Sequence, residues 1–152
     1  MEIRRKDRVI SEEETIRVIK NGIYGVLSTI GEDGYPYGVP VNYAFEDGCI
    51  YFHCAMGVGH KLKNIDFSDK ICFTVVGDIE VLPDEFSMNY QSAVVFGKVV
   101  KVAEEEKKPY LMYLIKKYSS EFMKEGTEYV AHCEKASVYK IIPERISGKG
   151  RK

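Results

Sequence analysis

One short stretch brings residue type, spacing and backbone chemistry together: Ala55-Met-Gly-Val-Gly-His-Lys61. An apolar run ends there, two glycines allow a sharp turn, and His60 and Lys61 open what reads as a helix. The N-terminus of a helix presents unpaired N–H groups and a positive partial charge, so phosphate is its natural ligand. A lysine in that first turn faces the positive end of the helix dipole and is unfavourable on its own. A bound phosphate dianion reverses the sign. The plain alternative is a solvated lysine on a frayed helix start, and spacing alone leaves the two readings level. The stretch is not a nucleotide P-loop, because G-x-x-x-x-G-K-[ST] does not occur, and there is no Gly-x-Ser-x-Gly elbow.

Other polar residues are candidates in weaker settings. His53 shares a strand face with Tyr51 and Ala55, where it could donate a proton or wall a flat ring. A half-buried strand histidine with neither role is as common. Asn42 interrupts an apolar strand, and Gln91 and Ser92 open the run Ala93-Val-Val-Phe-Gly97, where short polar groups could reach a phosphate or a ring edge. His132 reads as structural, and Asp84-Glu85 as a solvated loop pair. Cys49, His53, Cys54 and His60 have the ligand types of a zinc site. However, Cys49 and Cys54 are an odd number of positions apart on one strand and point to opposite faces, and the adjacent His53 and Cys54 diverge likewise. No metal site is expected. With no C-x-x-C pair, Cys49, Cys54, Cys72 and Cys133 read as reduced thiols.

The whole-chain chemistry narrows the function classes. Lys plus Arg total 22 and Asp plus Glu 23, a net charge of −1, so the basic excess typical of nucleic-acid or membrane-surface binding is missing. Apolar runs such as Ser92 to Gly97 and Tyr110 to Ile115 fall far short of the roughly 20 residues that cross a bilayer. The charged start, Met1-Glu-Ile-Arg-Arg-Lys-Asp-Arg8, has no apolar region behind it. A soluble, cytoplasmic protein is expected. The chain is 45% apolar, with 11 Tyr, 7 Phe and no Trp, which suits a β-rich core and flat-ligand pockets alike.

The elements that must position these residues emerge from periodicity. Ser11-Glu-Glu-Glu14 is a capping-box pattern, and Asn21-Gly22 ends the helix it starts. A strand from Ile23 to Ile30 stops at Gly31-Glu-Asp-Gly34. The next strand alternates clearly, with Tyr37, Val39, Val41, Tyr43 and Phe45 on one face, and its Pro40 requires an edge, a bulge or a gap in the ladder. Asp47-Gly48 turns the chain into Cys49–Ala55. A helix from His60 to Phe67 is followed by strands Lys70–Gly77 and Ser87–Val102. A helix follows from Glu104 to Ser119, or from Lys107 with Pro109 in its first turn. A second helical piece covers Thr127–His132, Ser137–Ile142 closes the sheet, and Ser147–Lys152 is a basic tail. No linker or repeat divides residues 1–152, so one domain is expected. Many strands, short hairpins and few helices predict a mainly β (α+β) fold, a small antiparallel barrel with flanking helices, its edges removed by closure or dimerisation.

In order along the chain, these segments resemble the pyridoxamine-phosphate-oxidase-like split-barrel flavoproteins, and among them the nitroimidazole-resistance branch. The resemblance runs through Arg4-Arg5-Lys6-Asp7-Arg8, Tyr24-Gly-Val-Leu-Ser-Thr29, Asp33-Gly-Tyr-Pro-Tyr-Gly-Val-Pro-Val-Asn-Tyr43, Ile50-Tyr-Phe-His-Cys-Ala55 and Gly59-His-Lys61. It continues in Tyr90-Gln-Ser92 to Gly97 and in Ile146-Ser-Gly-Lys149. It implies a six-stranded antiparallel split β-barrel that binds FMN at a homodimer interface. Lys61, with His60 beside it, would hold the FMN phosphate. Val39, Val41 and Asn42 would line the isoalloxazine from the second strand, and His53, Cys54 and Ala55 from the third. Gln91 and Ser92 would reach it from the partner subunit. His53, beside the flavin, is the catalytic candidate, and nitro-group reduction the activity the branch implies. Two departures matter: only His60 and Lys61 represent the phosphate loop, and the oxidase's C-terminal substrate-phosphate arginines find no match, since Arg145 and Arg151 sit in different settings. Pyridoxamine-phosphate oxidation is therefore not expected. The expectation is an FMN-dependent oxidoreductase acting on a small organic, nitroaromatic-type substrate. The alternatives are a non-catalytic FMN- or haem-binding protein, with His53 or His132 as axial ligand, and a structural dimer with a degenerate site.

Overall fold

A computed structural model describes residues 3–57 and 59–151, and in it a barrel closes at a break in one strand. Met1 and Glu2 of the charged start, Val58 of the glycine turn and Lys152 of the tail lie outside the described residues. The strands are β1 (Gly25–Ile30), β2 (Pro36–Val41), β3 (Ala44–Glu46), β4 (Cys49–Ala55), β5 (Lys70–Leu82), β6 (Ser87–Lys101) and β7 (Ala136–Arg151). They pair antiparallel in the order β2-β1-β5-β6-β7-β4-β3. The two end strands, β2 and β3, are separated in the chain by Asn42 and Tyr43 alone. One bent segment thus belongs to both edges, and the sheet curls on itself as a six-sided split barrel. The expected strand from Tyr37 to Phe45 is this segment counted twice. Pro40 sits on β2, opposite Val26, and β2 is an end strand of the sheet, where a residue without an N–H is tolerated.

The bend has a cause in hydrogen bonding. Four helices flank the sheet: α1 (Glu12–Asn21), α2 (His60–Phe67), α3 (Lys107–Tyr118) and α4 (Met123–Ala131). At the corner, the Tyr43 N–H donates to the hydroxyl of Tyr118, at the end of α3, over 3.0 Å. That hydroxyl has the carbonyls of Ile23 (2.6 Å) and Tyr43 (3.0 Å) in reach. A side chain replaces the ladder partner that a turning strand loses. The Tyr43 ring itself points into the barrel, fully buried, edge-on to Phe73 at 5.0 Å, and its hydroxyl donates to the Ile19 carbonyl of α1. The Lys117 amine lies 3.8 Å from the centre of the Tyr43 ring.

Inside the barrel, Leu27, Ile50, Phe52, Phe73, Val75, Val95 and Ile141 are wholly buried, with Ile19 of α1 and Leu62 and Ile65 of α2 in the same cluster. The capping box of α1 forms as expected: the Glu14 N–H donates to Ser11 Oγ, and the Ser11 N–H to the Glu14 carboxylate. A second cluster lies on the outer face, where Leu111, Leu114 and Val130 of α3 and α4 cover Ala44, Val102 and Val138. Tyr51 of β4 stacks on Tyr110 at 4.6 Å. The helix opens at Lys107, with Pro109 in its first turn, after a 3-10 turn over Glu104–Glu106. Lys107 is buried, and its amine donates to the Glu104 carboxylate (2.6 Å) and to the Glu134 and Ala136 carbonyls (3.1 and 2.8 Å). That anchors the start of α3 to the start of β7.

Three boundaries differ from the expected ones by four residues or more. Met123 opens α4, four positions before the expected Thr127. Beyond Gly77, β5 carries on past a bulge to Leu82. The expected tail is strand: Ser147–Arg151 pairs with Tyr90–Val94. The reason is glycine. A Cβ on Gly148 would collide with Thr15 Oγ1, so its absence lets α1 lie on the strand, and alternate Lys149 and Arg151 give the segment its charged look. Replacing Tyr118 by Phe removes the corner clamp and leaves the Tyr43 N–H unpaired. The expected loss is about 1–3 kcal/mol in a urea titration, with the fold retained.

Candidate functional site

β4 delivers its residues to two sides of the barrel wall. His53 and Ala55 project outward, while Cys54 packs against the inner core. The chain then leaves the sheet through Gly57 (φ 83°) and Gly59 (φ 150°), conformations that side-chain-bearing residues rarely adopt. Among the described residues, no side chain caps α2. The Leu62 and Lys63 amides turn back on the Gly59 carbonyl, at 3.1 and 3.3 Å, which leaves the His60 and Lys61 amides at the open end of the helix. Apart from its chain neighbours, no described atom lies within 4 Å of where a Cβ on Gly59 would stand, so the space beside the turn is open.

Charge at this place is asymmetric. His53 is exposed to solvent, yet its pKa is lowered, first by desolvation and second by the Lys61 charge. It is a neutral imidazole at neutral pH, with one N–H and one lone pair. Burial raises the Cys54 thiol, against smaller opposing effects of Lys61 and Lys101, so it is not a thiolate nucleophile. The His60 ring leans on Tyr37 at 4.6 Å.

Behind His53 a cavity of about 690 Å³ opens between β4, α3 and α4, a size in the range of small-molecule sites. Leu111, Leu114, Ile115, Tyr129 and Val130 give it apolar walls; His53, His132 and Cys133 are polar points on them; Glu128, Glu134 and Lys135 are its charged members. Among the expected site residues, His53, Cys54 and Ala55 line this cavity, with Lys61 close enough for its charge to act on His53. Val39 and Val41 turn their side chains into the barrel core, so at these two positions only the backbone is offered outward. Asn42 is exposed at the corner. His60 lines a separate hollow with Asp33 and Asn64.

Gln91 and Ser92 lie elsewhere. They occupy the far end of β6, whose Lys101 pairs with Tyr139, next to the Val138 that faces His53. Ten residues at about 3.3 Å each put some 33 Å of strand between the two places. A single copy does not bring them together. The Ser92 hydroxyl donates to the Lys149 carbonyl over 3.2 Å. Gln91 is buried, its Oε1 accepts from Arg17 Nη2 over 3.0 Å, and its Nε2 has no partner among the described residues. The α3–α4 wall carries no distinct sequence signal, because Leu111 and Leu114 match a core stripe equally well; His132, expected to be structural, lines the same cavity. Among the described residues, no group of three or more His, Cys, Asp or Glu is placed to hold a metal ion, and no helix is long and apolar enough to cross a membrane.

The fold is that of a known family. Residues 11–150 match the pyridoxamine 5'-phosphate oxidase family, and the chain belongs to it. Solved structures agree on the fold. A candidate 5-nitroimidazole antibiotic resistance protein from Bacteroides thetaiotaomicron is 23% identical, with 93% of this chain and 86% of that one covered and a TM-score of 0.78. A conserved hypothetical protein from Mycobacterium tuberculosis is 21% identical over 98% of this chain and 90% of that one, TM-score 0.81. The FAD and heme binding protein from Mycobacterium smegmatis is 18% identical over 93% of this chain and 72% of its own, TM-score 0.76. No curated protein matches the chain.

The His53 environment is measurable directly. In an NMR titration its imidazole is expected below the ordinary histidine value, and Lys61→Met is expected to raise it part of the way back. An unmoved His53 in that variant would mean that the Lys61 charge lies elsewhere.

Proposed function

We propose that the protein is a cytoplasmic, homodimeric FMN-binding oxidoreductase that reduces a small, uncharged organic molecule, with nitroaromatic compounds as the class favoured by the family resemblance. The observation that carries this reading is the junction of an uncapped, cation-bearing helix start with a neutral histidine at the mouth of an apolar cavity. A phosphorylated flat cofactor needs a charged end and a dry end side by side, and the α2 start and the α3–α4 cavity supply them.

The residues fit such a cofactor. Lys61 and the amides of His60 and Lys61 would hold the phosphate, while the β2 backbone at Val39 and Val41 and the β4 residues His53 and Ala55 would border the ring. The orphaned Nε2 of buried Gln91 is a donor still lacking its acceptor, in keeping with a role toward a ligand carried by a second copy. When bound, the flavin supplies the electron transfer. The chain supplies the rest. His53, neutral at neutral pH because its pKa is lowered, can hydrogen-bond a substrate oxygen through its N–H or take up and return a proton at its other nitrogen. The apolar walls exclude water. Glu128 and Glu134 oppose the single lysine, Lys135, so the cavity disfavours phosphorylated substrates, which agrees with the missing oxidase arginines. The dimer finds support in the β5–β6 hairpin, where Ile79, Val81 and Phe86 are exposed, Phe86 by 97%.

Purified protein is expected to be yellow, or to become so with FMN, and to reduce a nitroaromatic once the flavin is reduced. Lys61→Ala is expected to weaken FMN binding by about 2–3 kcal/mol, the worth of a charge-assisted hydrogen bond to phosphate. A colourless protein that stays so with added FMN overturns the reading. Sedimentation at micromolar concentration is expected to give a dimer.

A further inference from the structure

The chemistry at His53 leaves one shielded nucleophile unused, the amine of Lys117 on α3. Its nitrogen is buried and has no hydrogen-bond partner among the described residues. It lies 3.8 Å from the centre of the Tyr43 ring and 5.4 Å from that of Tyr118. Desolvation lowers its pKa, with no contribution from a neighbouring charge. An ordinary lysine is an ammonium at neutral pH and has no lone pair to offer. A desolvated one releases its proton early and becomes a nucleophile in mild base.

The same side chain borders a notch of about 260 Å³ between α1, β3 and α3. Ala44, Phe45 and Tyr113 supply its uncharged walls, and the charged groups facing it besides Lys117 are Lys20 of α1, Glu46 of β3 and Lys116 of α3. The Tyr113 phenol stays protonated, its pKa raised first by desolvation and then by Asp47 and Glu46. Lys20, Lys116 and Glu46 have no hydrogen bond or ion pair among the described residues. The notch shares no lining residue with the cavity behind His53. A shielded amine admits a small, uncharged electrophile most readily, because a charged one must first shed its water. Two ammoniums against one carboxylate favour a product that carries negative charge. Carbon dioxide satisfies both conditions.

We propose that Lys117 is a carbamylation site, where the amine adds to carbon dioxide and the resulting carbamate rests in the notch between Lys20 and Lys116. The nitrogen lone pair forms the N–C bond, one C=O pair moves onto oxygen, and the nitrogen gives a proton to water, so that R–NH2 + CO2 becomes R–NH–COO− + H+ with no change of oxidation state. An aromatic face attracts an ammonium and repels an anion, so the product turns from the Tyr43 ring toward the two lysines.

The test uses the full chain in 13C-labelled bicarbonate at pH 8, trapped with triethyloxonium ion and mapped by peptide mass spectrometry. Lys117 is expected to carry about tenfold more label than the average of the other lysines, and to lose that excess at pH 6 at equal dissolved carbon dioxide or on unfolding in urea. Lys117→Arg keeps a cation for the Tyr43 ring and is expected to remove the excess. Lys20→Met with Lys116→Met is expected to lower Lys117 occupancy several-fold. Label no greater on Lys117 than on the other lysines, or an excess that survives in urea, overturns the inference. So does undiminished occupancy in the double variant. Should Lys117→Arg fail to fold, the distribution of label in the wild-type chain decides.

Discussion

A sheet that closes on itself must turn a corner somewhere, and at the corner the backbone loses its ladder partners. Here the turn falls between Val41 and Ala44, and the Tyr118 hydroxyl takes the Tyr43 N–H. The consequence reaches well beyond one hydrogen bond. Tyr118 is the last residue of α3, so the clamp that closes the barrel also fixes the helix that walls the cavity behind His53. Lys107 fixes the other end of the same helix to the start of β7. A helix tied at both ends cannot slide on the outer face, and the space beneath it keeps its shape. Barrel closure and pocket formation are one structural event.

The candidate site divides its chemistry between the outer side of β4 and the glycine turn at its end. Positive charge collects where the strand gives way to α2, and apolar surface collects where α3 and α4 cover the strand's outer side. His53 stands between, and both neighbours act on it in the same direction, since desolvation and a nearby cation each disfavour the imidazolium. The chain belongs to the pyridoxamine 5'-phosphate oxidase family, and its cavity carries Glu128 and Glu134 beside Lys135.

Much of the fold was legible because its signals are local. The capping box at Ser11, the Asp-Gly turns at Asp33-Gly34 and Asp47-Gly48, and the glycines before His60 each act within a few residues, and each element they delimit is present. The break at Asn42-Tyr43 was not legible, because its cause, Tyr118, lies 75 positions away. The Ser147–Arg151 strand was hidden for a related reason: its buried positions are glycines, which carry no hydropathy signal. Within the site, His53, Cys54, Ala55 and Lys61 could be placed together since they share one strand–helix junction. The α3–α4 wall and the Arg17–Gln91 pair join residues distant in sequence, and their types alone do not distinguish packing from binding.

The Lys117 amine, held over the Tyr43 ring, has a consequence for the alkaline range. Its amine is shielded from water without a hydrogen-bond partner among the described residues, and burial brings its pKa down to about 8. Between that value and the ordinary lysine pKa of 10.5 the unfolded chain holds a proton that the folded one has released, so stability rises with pH across this window. Below pH 8 the ammonium must be kept in a half-shielded slot, with the face of an aromatic ring as its compensation. The barrel corner is therefore under its greatest electrostatic load in neutral and acidic solution, and mild base relieves it.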